Sequence, residues 1–389
     1  MGQISVLVAD DSAFMRKIIS EMLSSDPEIS VAGTARDGAD AIAKARTVRP
    51  DVITLDVEMP VMDGLSALPV LAGELGIPVV MLSSLTQAGA EVTIRSLSLG
   101  AVDFVPKPSG AISLDIEKVR DELLAKVRAA AGVSRSRVRA LVREMRTPVG
   151  AQGGSGGPGR AGLVGPAGSA NGPKSTATSE ATALRPGATV AAKEARPRGA
   201  KARAVVVIGT STGGPRALTQ VVPFLPPNLP AGVLVIQHMP AGFTKSLADR
   251  LNDTSRIKVA EAQGGELITE GEALVAPGGY HMLVKPDGTV ALDSSPPMHG
   301  VRPAVDMTMN SAVDLFRNKT VGVIMTGMGS DGADAAARVK RLGGKTVIEH
   351  ESTCVVYGMP RSVVERGDAD RIVPLPKIAD EIVDAVLSL

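Results

Sequence analysis

The sequence predicts an α/β protein of two domains, each built on a parallel sheet, with a long linker between them. Three observations predict it. The chain has 389 residues, more than one average domain holds. On both sides of its middle, short apolar runs alternate with helical stretches, the pattern of strand-helix units. The middle itself, about 147 to 201, is rich in Gly, Ala, Pro and Ser and has almost no large apolar residue, so it cannot bury enough surface to offset its ordering entropy. The expected division is 1–125, then a helical extension and flexible linker over 126–201, then 202–389.

Charge and cysteine content narrow the function classes. The formal net charge is +1, yet Arg128 to Arg203 hold fourteen Lys/Arg against three Asp/Glu, which leaves the rest of the chain near −10. No aromatic residue sits in the basic segment to stack on bases, so its charge reads as solvated and no nucleic-acid partner is expected. Cys354 is the single cysteine, which excludes an intramolecular disulfide and suits a buried thiol. No apolar run reaches 18 residues, and the chain opens on ISVLVAD instead of a basic segment and apolar signal core. The expectation is a cytoplasmic protein with no membrane insertion.

In the first domain ISVLVAD, SVAGTA, DVITLD, IPVVMLS and AVDFVPK read as strands, with helices beginning near Ser12, Gly38, Gly64, Gly89 and Ser113. Five such pairs imply a doubly wound sheet with its functional groups at the carboxyl ends of the strands. Those ends carry Asp10, Asp11, Asp56, Ser83 and Lys107. Three carboxylates on one edge repel unless a hard cation lies between them, and Mg²⁺ prefers oxygen ligands. Asp56 could then attack a phosphoryl group, with Lys107 pairing the resulting charge. A strand-end Asp often caps a helix and a lone Lys is usually surface, but five such residues at matching strand ends argue against coincidence.

The second domain opens on VVVIGTSTGGPRAL, residues 205–218. Val205 to Ile208 suit a buried parallel strand and Pro215 suits the first turn of a helix. Pro215 stands where a GxxxxGK[ST] phosphate loop needs Lys, and Ser211 stands where GxGxxG needs its second glycine. The match is GxSxG, in which glycines permit a sharp turn that exposes Ser211. A serine nucleophile needs a base. Of the four histidines, His238 follows the apolar run VLVIQ and shares the sheet edge of Ser211; His281 falls in or beside a hairpin, His299 in a PPMHG loop, and His350 at the end of TVIEH. For the orienting carboxylate, Asp331 follows the strand-like TVGVIM in a glycine-rich turn, with Asp334 and Asp306 as rivals and helix capping as the alternative role. The order Ser, His, Asp differs from that of the α/β-hydrolases.

Two resemblances add to this reading. VLVADDSAFMRKII, DVITLDVEMPVMDG and DFVPKP resemble the response-regulator receiver domain over residues 3–125. That resemblance implies a flavodoxin-like fold, Asp56 as phospho-acceptor, a Mg²⁺ site of Asp10, Asp11, Asp56 and the Glu58 carbonyl, Lys107 as phosphoryl partner, and Ser83 and Phe104 as switch residues. GTSTGGPRAL, VIQHMPAGFT, LVAPGGYHM, RPAVDMTM and GVIMTGMGSDGA, in that order, resemble the catalytic domain of the chemotaxis protein-glutamate methylesterase (CheB) family over 202–389. It implies a parallel-sheet methylesterase with Ser211 as nucleophile, His238 as base and Asp331 as its partner, and with Thr212 and the Met328 backbone at the active site. It further implies no cofactor for the esterase chemistry, methyl-accepting chemotaxis receptors as substrate (γ-glutamyl methyl esters and certain glutamine amides), and a chemotaxis histidine kinase as phosphodonor. The unphosphorylated receiver is expected to cover the active-site face. The competing expectation, a phosphorylation-controlled adaptor or DNA-regulatory protein, is disfavoured because residues 202–389 lack a basic helix-turn-helix pattern.

Overall fold

The computed structural model describes residues 2–84, 86–108, 116–146 and 199–389. The segment read as a linker, 147–201, lies outside these apart from its last three residues, as does the helix start expected at Ser113.

The N-terminal half runs β1 (Ile4–Ala9), α1 (Ala13–Ser24), β2 (Ile29–Ala35), α2 (Gly38–Val48), β3 (Val52–Asp56), α3 (Gly64–Leu68), β4 (Val79–Ser83), α4 (Gln87–Leu97), β5 (Asp103–Pro106), α5 (Ile116–Ala131) and α6 (Arg135–Arg146). The strands form one parallel sheet in the order β2-β1-β3-β4-β5. Helices on both faces bury β3 and β4 along their whole length, which is why those strands are nearly unbroken runs of Val, Ile, Met and Leu. Helix starts follow capping chemistry: the side chains of Ser12, Asp37 and Asp63 accept backbone N–H groups of the first turns of α1, α2 and α3. Thr86 does the same for α4, so that helix begins two residues before the expected Gly89.

The boundary expected at 125 falls inside α5, and α6 packs back onto the same half. Val138, Leu141 and Val142 are buried. Arg135 donates to the carbonyls of Arg49 and Pro50, and Arg139 to those of Glu74 and Leu75. These carbonyls lie at the ends of α2 and of a π-helical turn, Pro69–Glu74, where cations are favoured. These two arginines are exposed, as solvated charge should be, and also cap helix ends.

The C-terminal half runs β6 (Val205–Thr210), α7 (Gly214–Val221), β7 (Gly232–Gln237), α8 (Phe243–Thr254), β8 (Lys258–Glu261), β9 (Glu272–Val275), β10 (His281–Val284), β11 (Val290–Asp293), α9 (Val305–Phe316), β12 (Thr320–Ile324), α10 (Ala333–Arg341), β13 (Lys345–Glu349), α11 (Met359–Glu365), β14 (Arg371–Val373) and α12 (Leu375–Leu387). Seven strands make a parallel sheet ordered β14-β13-β12-β6-β7-β9-β8, and β10 and β11 form a separate antiparallel hairpin. From central β6 the chain winds outward through β7, then returns to lay β12 on the other side. That reversal opens a crevice at the carboxyl ends of β6 and β12, where ligands bind in such sheets.

Gly64 shows how tightly the first half is closed. A Cβ there would run into the backbone carbonyl of Asp56. Gly64→Ala should lower stability by about 1–3 kcal/mol through overpacking, read as a fall in the urea midpoint; an unchanged midpoint would mean that the Asp56 loop yields freely.

Candidate active site

In the catalytic half, Ser211 follows β6, His238 follows β7 and Asp331 lies in the loop after β12. β6 and β7 pair in register up to Thr210 and Gln237, and the His238 N–H donates to the Thr210 carbonyl at 3.1 Å. Ser211 and His238 are thus the first residues past two adjoining strand ends. On the other flank, the Ser211 N–H donates to the Thr326 carbonyl at 3.0 Å. Gly213, at φ 79°, turns the chain into α7, and Gly214 is glycine because a Cβ would strike the Gln237 amide.

His238 Nε2 lies 2.7 Å from Asp331 Oδ2. With the carboxylate at Nε2, the ring carries its lone pair at Nδ1, the reverse of the Ser-His-Asp template, in which Nδ1–H meets the carboxylate. Asp331 is 2 % exposed. Its Oδ2 also accepts from the Val305 N–H at 2.6 Å, and its Oδ1 from the Asp306 N–H at 3.0 Å, both at the start of α9. Burial works to raise the pKa of this carboxyl, but the His238 hydrogen bond and charge and the two backbone donors outweigh it and hold it below the ordinary value. No described residue hydrogen-bonds the Ser211 hydroxyl, and Ser211 is half-buried. Among the described residues none accepts from the N–H of Thr212 or of Met328, and the Met328 side chain is exposed.

The other candidates fall elsewhere. His281 is fully buried, with Nδ1 accepting from the Ala304 N–H and Nε2 donating to the Pro296 carbonyl. His350 bonds Ser352 within its own turn. Asp334 pairs with Arg366. Asp306 and His299 pair with one another at 2.9 Å, next to Asp331. Cys354 is buried, and that burial raises its thiol pKa.

Three residues that the sequence did not single out hold the serine turn. Gln237 donates to the carbonyls of Ser211 and His238, at 3.0 Å each, and accepts from Thr210 Oγ1 at 2.7 Å. Thr326 donates to the Thr212 carbonyl at 2.9 Å, and its N–H reaches Glu349 Oε2 at 2.8 Å. Glu349 is wholly buried, which raises its pKa against the pull of that N–H. The only sequence signal was a polar residue at or just past the end of an apolar run.

At the N-terminal sheet edge, Lys107 Nζ lies 2.7 Å from Asp56 Oδ2 and 2.9 Å from Asp10 Oδ2. Burial pushes Asp56 up to about 6, Lys107 opposes the rise, and the Asp10 charge adds to it. Burial works against the Lys107 ammonium, yet Asp56 and Asp10 raise its pKa. Asp10, Asp11 and Asp56 each bring an oxygen within 4.8 Å of the others. Asp10 Oδ2 is buried and, though ion-paired, receives no well-directed hydrogen bond. An all-oxygen set with an under-satisfied anion fits a hard dication such as Mg²⁺. A cleft of about 200 Å³, lined in part by Asp11, Asp56, Ser83 and Lys107, adjoins it. Ser83 Oγ is engaged by α4, donating to the Gly89 carbonyl at 3.1 Å and accepting from Thr93 Oγ1 at 2.6 Å.

β5 joins the two halves. Asp103 Oδ2 accepts from Thr212 Oγ1 at 2.5 Å, one residue from Ser211. The Phe104 ring stacks on Phe243 with centroids 4.5 Å apart, and Lys126 Nζ lies 4.8 Å from the Phe104 centroid. Lys126 also pairs with Asp103 at 3.4 Å and donates to the Phe104 carbonyl at 2.6 Å.

Comparison with known proteins assigns a family to each half. Residues 6–117 match the response regulator receiver domain and residues 206–382 match the CheB methylesterase family. Proteins named protein-glutamate methylesterase/protein-glutamine glutaminase are 50 % identical in Symbiobacterium thermophilum (98 % of this chain, 97 % of that one), 43 % in Pyrococcus abyssi (99 % and 94 %) and 42 % in Thermotoga maritima (98 % and 98 %). No helix among the described residues is long and apolar enough to cross a membrane. A receiver domain followed by this catalytic domain implies a kinase phosphodonor and a methylated protein substrate, and the chain belongs to the CheB family of protein-glutamate methylesterases/protein-glutamine glutaminases.

Proposed function

We propose that Ser211, His238 and Asp331 carry the hydrolysis, acting on γ-glutamyl methyl esters and certain glutamine amides of chemoreceptors, and that phosphorylation of Asp56 by a chemotaxis histidine kinase releases the reaction. The observation that carries this reading is the 2.7 Å His238–Asp331 bond at the strand end beside Ser211. The Ser211 oxygen attacks the ester carbonyl carbon while His238 Nδ1 takes its proton, and Asp331 stabilises the imidazolium. The N–H groups of Thr212 and Met328 are the donors for the oxyanion. As the tetrahedral intermediate collapses, the bond to the methoxy oxygen breaks and His238 returns the proton, so methanol leaves; from an amide, ammonia leaves. Water, deprotonated by His238, then attacks the acyl-serine and frees the glutamate carboxylate and Ser211. This sequence uses no cofactor.

In the receiver, Asp10, Asp11, Asp56 and the Glu58 carbonyl are the ligands we assign to Mg²⁺. The ion, when bound, supplies charge that offsets the carboxylates and an incoming phosphoryl group. Asp56 is the acceptor, Lys107 pairs with the phosphoryl oxygens, and Ser83 leaves Gly89 and Thr93 to reach them. Lys107 follows β5 directly and its N–H donates to the Ser83 carbonyl at 2.7 Å, so a shift at either residue is felt at Asp103 and Phe104. Those two contact Thr212 and Phe243, and their release frees the active-site face. In domain terms the receiver and its docked α5 and α6 precede a catalytic unit that starts near residue 199, where residues 200 and 201 already bond to Glu270 and Thr269.

Methanol release from methylated chemoreceptor membranes, with and without beryllofluoride and Mg²⁺, tests the whole reading; release should rise on activation, and none in either state would refute it. Ser211→Ala should abolish release with an unchanged circular dichroism spectrum, whereas retained turnover would mean that another residue is the nucleophile. Asp103→Ala should raise basal release by about tenfold or more, since a hydrogen bond to a charged group contributes about 1.5–3 kcal/mol and tenfold is about 1.4; a basal rate equal to wild type would show that this contact does not restrain the enzyme. Mg²⁺ at ten times its Kd should add about 1.4 kcal/mol of stability, visible as a higher Tm that Asp10→Asn removes. A Tm indifferent to Mg²⁺ would contradict the ligand set.

A further inference from the structure

A second imidazole–carboxylate pair, unused by the chemistry above, stands beside the first. His299 lies in the loop after β11, and its Nε2 is 2.9 Å from Asp306 Oδ2 and 3.9 Å from Asp331 Oδ1. Asp306 is 3 % exposed, and its Oδ1 accepts from the Ala335 N–H of α10 at 2.8 Å. The Asp306 N–H is one of the two that hold Asp331. Two buried carboxylates therefore share the start of α9. Burial raises the pKa of Asp306, the Ala335 N–H opposes that rise, and the negative charge of Asp331 adds to it.

The other charges around Asp306 do not neutralise it. Asp334, from α10, is paired with Arg366, which follows α11, and Arg366 also feels the Asp306 charge. His281, on β10, is turned to the Ala304 N–H and the Pro296 carbonyl. His299 is the direct partner. A neutral imidazole sharing its own N–H would leave the pair negative; one further proton, whether on His299 or on Asp306, makes it neutral, and two buried carboxylates side by side favour holding that proton.

We propose that His299 is a positioning residue for the hydrolysis: by holding with Asp306 one proton beyond the imidazole's own N–H, it leaves Asp331 as the sole negative charge acting on His238. The inference rests on the roles given above to Ser211, His238 and Asp331. If His299 is removed, Asp306 ionises beside Asp331, and the added negative charge favours the protonated His238, the form that cannot act as a base.

The test follows the His238 titration by NMR in the full-length, histidine-labelled protein, which has four histidines, with the kcat/KM pH profile recorded in parallel. His299→Gln should raise the His238 midpoint, and with it the acid limb of kcat/KM, by about one pH unit, the size expected of one nearby charge. Adding Asp306→Asn to that variant should bring both back toward wild type, a rescue that a purely structural role of His299 would not give. A His238 midpoint unmoved in folded His299→Gln overturns the proposal. If that variant does not fold, Asp306→Asn alone provides the background: a further His299→Gln must then leave the midpoint where it was, and a shift overturns the proposal. The NMR titration does not depend on which serine reacts, so a failure of the triad reading shows separately, as turnover retained by Ser211→Ala.

Discussion

The buried negative charge of Asp331 organises the catalytic half. A carboxylate so far from water persists only where donors surround it, and here they are His238 Nε2 and the first N–H groups of α9. Each of these depends on long-range structure: His238 on the β6–β7 pairing, α9 on the loop after the β10–β11 hairpin, and Asp331 itself on the return of the chain to form β12. The crevice at the reversal of strand order thus gathers the charge, its donors and the serine turn at one edge.

Much of the architecture was legible because parallel strands buried on both faces must be continuous apolar runs, and the chain marks their ends with small or polar residues. The ends at Asp10, Asp56, Ser83, Thr210 and Gln237 are of this kind. Capping chemistry makes the starts of α1, α2 and α3 readable, while at α4 the cap is Thr86 and Gly89 supplies the N–H that it accepts, so the glycine lies inside the helix. Strand order was not readable. That β12 lies against β6 is a pairing across more than a hundred residues, and only this pairing explains why Asp331, among three carboxylates near strand or helix ends, is the one that meets His238.

The same limit explains the supporting residues. Gln237, Thr326 and Glu349 look ordinary in sequence, since a polar side chain at a strand end gains meaning only from the neighbouring strand's orphan groups. Arg135 and Arg139 illustrate a related limit: both are exposed, as charge composition suggests, but the carbonyl ends that they also reach belong to α2 and to the turn before β4, which composition does not report. His299 was placed correctly in a loop, but its nearness to Asp331 depends on how that loop folds over α9.

The contact between Phe104 and Phe243 has a thermal consequence. Its stabilisation comes from keeping aromatic surface out of water, and such stabilisation weakens on cooling. On the reading that this contact keeps the active-site face covered, the balance between covered and uncovered forms carries a heat-capacity difference. On that reading cooling weakens this aromatic contact while leaving the Asp103–Thr212 hydrogen bond in place, so temperature shifts which of the two contacts holds the cover.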